Sequence, residues 1–253
     1  MNQDDFTACI QRFVKRHHYN DFKPRAALVD MDGTLYDSMP RHADAWTQMC
    51  AEAGLQCDHD EFFLHEGMTG AQTIGLLIER NWGRKATPEE CEHLYHRKTE
   101  LFRTGPSVDV MPGAQTLIST MLAVGLRTVL VTGSGQNSLL NRIESDYPGA
   151  FPADRRVTSR DVKNGKPHPE PYIRAMQLAG VSPSASISIE NAPLGVTSAD
   201  AAGAFTVGVV TGPVPREELE RAGAAIVFDS MPQCADLFPY LLYTMVTFIN
   251  QEI

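Results

Sequence analysis

The sequence predicts an α/β protein: a parallel-sheet core with helices on both faces, plus a small all-helical segment inserted after the first strand. Three observations carry that expectation. From residue 108 onward, short apolar runs alternate with helix-spaced segments, the pattern of successive βα units. Several of these runs stop abruptly in polar residues, at Asp30-Met31-Asp32-Gly33, Thr132-Gly133-Ser134 and Glu190-Asn191. Between the first run and the rest, residues 40–103 show helical spacing with no strand pattern.

Taken in order, residues 4–18 space Phe6, Cys9, Ile10, Phe13 and Val14 as one helical face, ending in Lys15-Arg16-His17-His18. Cations suit a helix C-terminus, so the two histidines read as a solvated helix end, and the helix is expected on the sheet edge. Residues 26–29 form a strand buried on both faces. In the insert, Ala43, Trp46, Met49 and Cys50 make one stripe, and Leu76, Leu77 and Trp82 another. Thr87-Pro88-Glu89-Glu90 starts a helix expected to run to about Phe102, with an N-cap, a first-turn proline and early acids.

Further helices are expected over residues 114–124, from Asn137, from Pro171 and over residues 195–202. Strands are expected over residues 128–131, near Val157, and over residues 187–189, 205–210 and 225–228. The apolar segment 237–249, with Pro239 near its start, is too short to span a bilayer and reads as a terminal packing helix.

Composition narrows the function classes. The 253 residues suit one large domain or a domain with an insert. A net charge of −9 without a basic cluster argues against nucleic acid as partner, though local charge or a metal could still hold a small anion. Cys9, Cys50, Cys57, Cys91 and Cys234 are odd in number and form no Cys-x-x-Cys pair, so neither a zinc site nor a disulfide framework is expected. With no signal-peptide apolar core and no membrane segment, a cytoplasmic setting is expected. Oligomeric state is open, and a monomer is compatible.

The strand-end residues suggest chemistry. Asp30 and Asp32 lie two apart, so they project to one side where a strand stops at Gly33. Paired carboxylates repel unless a cation or shared proton relieves them. Mg2+ suits oxygen ligands and recruits phosphate, one acid could attack phosphorus, and the other could handle protons. The plainer alternative is a polar Asp-Gly turn. Thr132, Gly133 and Ser134, just before a helix, could cradle phosphate or merely cap the helix. Lys166, held in Gly165-Lys166-Pro167, could neutralise a carboxylate and a phosphate oxygen together, or be an exposed loop lysine. Glu190-Asn191 offers two more oxygen ligands, or another turn.

The ordered set Asp30-Met31-Asp32-Gly33-Thr34, Thr132, Lys166 before Pro167, and Glu190-Asn191 resembles the haloacid dehalogenase superfamily of phosphohydrolases. The helical insert and Ile189-Glu190-Asn191-Ala192-Pro193-Leu194-Gly195-Val196 resemble its branch containing β-phosphoglucomutase and many small-molecule phosphatases. The resemblance implies a Rossmann-like core of residues 1–38 and 105–253 and a cap of residues 39–104. It implies Asp30 as nucleophile, forming an aspartyl-phosphate, and Asp32 as general acid/base. Thr132 with neighbouring amides would hold the phosphoryl group, and Lys166 would orient and neutralise. Asp30, the Asp32 carbonyl and Asn191, with Glu190 nearby, would bind Mg2+. Asn191 departs from the common Asp and lowers the site's negative charge. Asp32 argues against a true dehalogenase, which lacks the second acid.

Substrate choice is expected to lie in the cap. His42-x-x-x-Trp46 resembles a first cap helix whose histidine contacts the second acid, although a partly buried cap histidine reads equally well. In His65-Glu66-Gly67-Met68-Thr69-Gly70 an acid stands where sugar-phosphate mutases carry basic residues. Glu66 either reaches the metal, directly or through water, as in pyrophosphate-hydrolysing members, or caps a helix. The leading expectation is therefore a Mg2+-dependent hydrolase of a small phosphorylated molecule, with inorganic pyrophosphate the first substrate. A sugar-phosphate phosphatase is the alternative, a β-phosphoglucomutase-like mutase the third, and a non-catalytic phosphate-binding protein the reading from another class.

Overall fold

The computed structural model of the chain describes residues 3–134 and 137–248. Six strands form one sheet: β1 (Ala26–Val29), β2 (Arg127–Val131), β3 (Arg156–Val157), β4 (Ser186–Glu190), β5 (Phe205–Val209) and β6 (Ile226–Phe228). Their order is β3-β2-β1-β4-β5-β6, and every pairing is parallel. β1 lies in the middle, with Ala26 in register with Arg127 on one side and Ser186 on the other. The order reverses between β1 and β4, so a crevice forms where these strands end, the position at which open α/β sheets bind ligands.

Alternation along β1 divides the interior in two. Ala26 and Leu28 join Val129, Val131 and Tyr172 on one face, whereas Ala27 and Val29 join Leu130, Ile187 and Phe205 on the other. The first face is covered by α9 (Glu170–Ala179). On the second, α6 (Ala114–Ala123), α12 (Met231–Phe248) and α1 (Gln3–His17) pack in sequence, α6 on α12 and α12 on α1. Both faces of β1 are buried completely, as a near-continuous apolar strand requires.

Helix α1 differs from its expected place. It lies over a sheet face, with the Phe13 ring 5.0 Å from Phe205 and 5.3 Å from Phe22. His17 is also more than a solvated end: its Nε2 meets Asp200 Oδ1 at 3.1 Å, and its ring stacks on Tyr19. The terminal helix starts at Met231, ahead of the expected segment, and carries Pro239 inside it; Ile249 lies outside the described residues. No helix among the described residues is long and apolar enough to cross a membrane.

Between β1 and α6, the described residues form α2 (Met39–Ala53), α3 (Glu61–Leu64), α4 (Gly70–Trp82) and α5 (Pro88–Thr104), with no strand of the sheet. Capping boxes start α4 and α5, through Thr69 with Gln72 and Thr87 with Glu90. In α2, Ala43, Trp46, Met49 and Cys50 are all buried, as the spacing predicts. In α4 the buried stripe is Ile74, Leu77 and Ile78, at a clean helical interval, and this turns Leu76 and Trp82 outward.

Because Phe13 packs among Phe22, Tyr19 and Phe205, Phe13→Ala is expected to cost about 3–5 kcal/mol in urea unfolding. A loss under about 1 kcal/mol would mean that α1 packs only loosely on the sheet.

Candidate active site

The end of β1 delivers Asp30 to the crevice, its amide donating to the Ile189 carbonyl at 3.1 Å. Lys166 arrives from the loop before α9 and is almost wholly buried. Its ammonium donates to Asp30 Oδ1 at 2.5 Å and Glu190 Oε1 at 2.6 Å, and reaches the Val131 carbonyl at 3.3 Å. The Tyr172 hydroxyl donates to the same Glu190 oxygen. Burial works against the charge on Lys166, but the two carboxylates outweigh it and raise its proton affinity. Burial also raises the Asp30 carboxyl well above the usual range; Lys166 opposes this, while Glu190 and Asp32 add to it. Asp30 Oδ2 is buried and has no hydrogen-bond partner.

Asp32 sits in a different environment. Ser38 Oγ donates to Oδ1 at 2.7 Å, His42 Nε2 lies 2.9 Å from the same oxygen, and Thr132 Oγ1 donates to Oδ2 at 3.3 Å. Behind His42, Lys98 Nζ is 2.5 Å from Nδ1. An ammonium can only donate, so Nδ1 accepts and Nε2–H donates to Asp32. Burial alone would raise the Asp32 carboxyl, but the His42 and Lys98 interactions and the Ser38 hydrogen bond hold it at about 2. Lys98 is buried, 5.0 Å from the Trp46 ring centroid, and burial brings its titration down to about 7. His42, stacked on Phe102, is lowered by burial and then by Lys98.

The loop after α3 closes the crevice through backbone. A Cβ on Gly67 would lie 2.7 Å from Lys166 Cδ, and one on Gly133 would collide with the Gly67 carbonyl oxygen. On Gly165 it would come within 2.8 Å of Thr69 Cγ2. Glu66, in this loop, accepts from Asn191 Nδ2 at 3.0 Å on each oxygen, and Thr34 Oγ1 donates to Asn191 Oδ1 at 3.0 Å. Thr69, not Glu66, caps the following helix α4. Burial pushes the Glu66 carboxyl up, and the charges of Asp30, Glu190 and Asp32 add to that.

The structure thus brings Asp30, Asp32, Thr132 and Lys166 together, with Gly133, Ser134, His42 and Glu66 on the walls of one cleft. Ser134 N donates to Thr132 Oγ1 at 2.9 Å, but the helix that follows, α7 (Asn137–Leu140), is one turn long and supplies little dipole; Gly135 lies outside the described residues. Asn191 sits behind Glu66, on a neighbouring cavity of about 110 Å³. Glu190 commits one oxygen to Lys166 and Tyr172 instead of turning it to the cleft.

Ser38, Lys98 and Tyr172 are site residues that the sequence analysis misses. For Lys98 a signal exists: a lysine stands on the stripe of Leu94, Leu101 and Phe102 in α5. Among the described residues, no three His, Cys, Asp or Glu side chains form a ready metal cage. A cation here would instead use mixed oxygens, and the partnerless Asp30 Oδ2 amid mutually repelling buried carboxylates fits one.

A family model described as haloacid dehalogenase-like hydrolase matches residues 24–203. Hexitol phosphatase A of Escherichia coli is 31% identical over 187 residues, covering 72% of this chain and 81% of its own. The 2-deoxyglucose-6-phosphate phosphatase 1 of Saccharomyces cerevisiae is 29% identical over 237 residues, covering 84% and 90%. A solved structure from Bacteroides vulgatus, provisionally described as a beta-phosphoglucomutase, superposes with a TM-score of 0.93 at 40% identity, covering 96% of this chain and 99% of its own.

Lys98 titrates at about 7 in the fold against 10.5 as its ordinary value. Below pH 7 both folded and unfolded chains hold the proton, and the fold bears the full cost of the buried charge. Between 7 and 10.5 the unfolded chain binds more protons, so stability rises with pH over that window. Lys98→Met removes this titration. In urea unfolding, the parent is expected to gain about 2 kcal/mol on the variant between pH 6 and pH 9; parallel pH dependences would show that Lys98 does not titrate there.

Proposed function

The chain belongs to the haloacid dehalogenase-like hydrolase family, and on that footing we propose that it is a magnesium-dependent phosphatase of a small sugar or sugar-alcohol monophosphate. One observation carries the chemical half of this reading. Asp30 presents a buried, partnerless oxygen while its other oxygen is held by Lys166, next to a second acid in a contrasting environment. The resting shifts run against these roles, burial favouring neutral Asp30 and His42 favouring ionised Asp32, so the assignment rests on geometry: Asp30 is anchored by Lys166 on one oxygen and keeps the other for phosphorus.

Substrate class is supported by the cleft and by the relatives. Lys98 is the sole lysine or arginine among the described lining residues, and it is engaged with His42. No cation is left to grip a second phosphoryl group, so one phosphate with a neutral remainder fits best. Trp46 and Phe62, stacked 5.8 Å apart, add an apolar wall. Relatives named for phosphatases of hexitol and deoxyglucose phosphates agree. The comparisons give no support to pyrophosphate, the first expectation from sequence, and favour its alternative.

In the proposed mechanism, Mg2+ would be held by Asp30, the Asp32 carbonyl and Asn191, and when bound it supplies charge neutralisation for the phosphoryl oxygens. Lys166 neutralises Asp30 Oδ1. An Asp30 oxygen attacks phosphorus as the ester P–O bond breaks, and protonated Asp32 gives its proton to the leaving oxygen. The approaching phosphate dianion raises the proton affinity of Asp32 from its resting value. Asp32 then takes a proton from water as the water oxygen attacks phosphorus, the aspartyl-phosphate bond breaks, and phosphate leaves. Ser38 and His42 keep Asp32 oriented, and Thr132 faces the transferring group. The cleft measures about 60 Å³, room for roughly five waters and less than a hexose phosphate needs. Residues 39–104 therefore act as a cap that opens to admit substrate.

Phosphate release should be measured from fructose 1-phosphate, hexitol phosphates, 2-deoxyglucose 6-phosphate and pyrophosphate, with Mg2+ and with EDTA. The expected result is Mg2+-dependent release from the sugar and polyol esters ahead of pyrophosphate, with Asp30→Asn losing about a thousandfold or more. Faster turnover of pyrophosphate would overturn the substrate class. Isomerisation of β-glucose 1-phosphate without phosphate release would make the protein a mutase, and full activity in Asp30→Asn would remove the nucleophile.

A further inference from the structure

Tyr172 lies on the first turn of α9, and its side chain is wholly buried. Phenylalanine would fill almost the same volume, so the hydroxyl is not there for packing. It donates to Glu190 Oε1, the oxygen that also receives Lys166 Nζ, and the ammonium stands 5.5 Å from the Tyr172 ring centroid. Burial raises the phenol far above its ordinary titration, so it stays a donor at every working pH. Behind the carboxylate, Gly195 leaves it room: a Cβ there would overlap the Glu190 carboxyl. Glu190 is thus fixed from the back by Gly195 and from the side by Tyr172.

Lys166 divides one ammonium between two carboxylates at almost equal distances, 2.5 Å to Asp30 and 2.6 Å to Glu190. Whatever satisfies Glu190 from another direction leaves more of the ammonium for Asp30. We infer that Tyr172 is a positioning residue for the reaction proposed above: by saturating Glu190, it sets the share of Lys166 that reaches Asp30. Without the hydroxyl, Glu190 Oε1 retains Lys166 as its principal donor and draws the ammonium away from Asp30.

The test pairs kinetics with structure and rests on the phosphatase reading only in its first part. With a turned-over sugar phosphate, Tyr172→Phe is expected to lower kcat roughly threefold to tenfold, the worth of one hydrogen bond, with KM nearly unchanged. In a Glu190→Gln background the same substitution should cost nothing further, because the residue acts through Glu190; a merely structural loss would add. Unchanged kcat, or additive losses, would overturn the inference. The second part needs no activity and no Glu190 variant. A crystal structure of Tyr172→Phe, compared with one of the parent, is expected to show Lys166 Nζ beyond about 3.2 Å from Asp30 Oδ1. An unmoved Nζ would overturn the inference. If the parent hydrolyses no phosphate ester, the phosphatase reading falls alone, and the Lys166–Asp30 distance still decides the placement.

Discussion

An ammonium held between two carboxylates, with scarcely any water, is the constraint on which the rest of the structure depends. Lys166, Asp30 and Glu190 are each nearly fully buried, and breaking such a cluster by losing one member typically costs about 3–5 kcal/mol. The three residues come from a loop, from the end of β1 and from the end of β4, so they meet only if those strands are adjacent and in register. The β1–β4 pairing, with Ala26 opposite Ser186, brings both acids to one edge at one level. The apolar burial on both sheet faces supplies the stability against which this charge cluster is maintained.

Around that cluster, two acids of one type occupy opposite electrostatic surroundings. Asp30 is pressed toward its neutral form by burial and by neighbouring carboxylates, and Asp32 toward its ionised form by His42, Ser38 and Lys98. The difference originates in the helices of residues 39–104, because His42 lies on α2 and Lys98 on α5. Half of the environment of Asp32 is therefore delivered by an insert, and half by the sheet.

The sheet was legible because its signals are local. Apolar runs ending in polar residues mark strands, and their ends hold the acids and Thr132, while Lys166 follows on the loop before α9. Failures came where the decisive partner is remote. Lys98 is 56 positions from His42, and Tyr172 is 18 from Glu190, so neither pairing leaves a trace in spacing. Trp82 shows the limit of periodicity: an apolar residue near the end of a helix can lie off the buried stripe and face solvent. Substrate was least legible, since a single acid, Glu66, suggested an inorganic anion, yet in the fold it is bound by the Asn191 amide. A side chain whose partner is a neighbouring loop says little about what enters the cleft.

The loop that carries Glu66 meets the core through the Glu66–Asn191 pair and, beside it, through closely approaching glycines. Gly67 lies against Lys166, and Gly133 against the Gly67 carbonyl, at separations that admit no side chain. The apolar wall of the cleft, Trp46 stacked on Phe62, is supplied by α2 and α3 and not by these glycine contacts. The glycines are accordingly the positions least open to change, since any side chain at Gly67 or Gly133 would push this loop off the crevice.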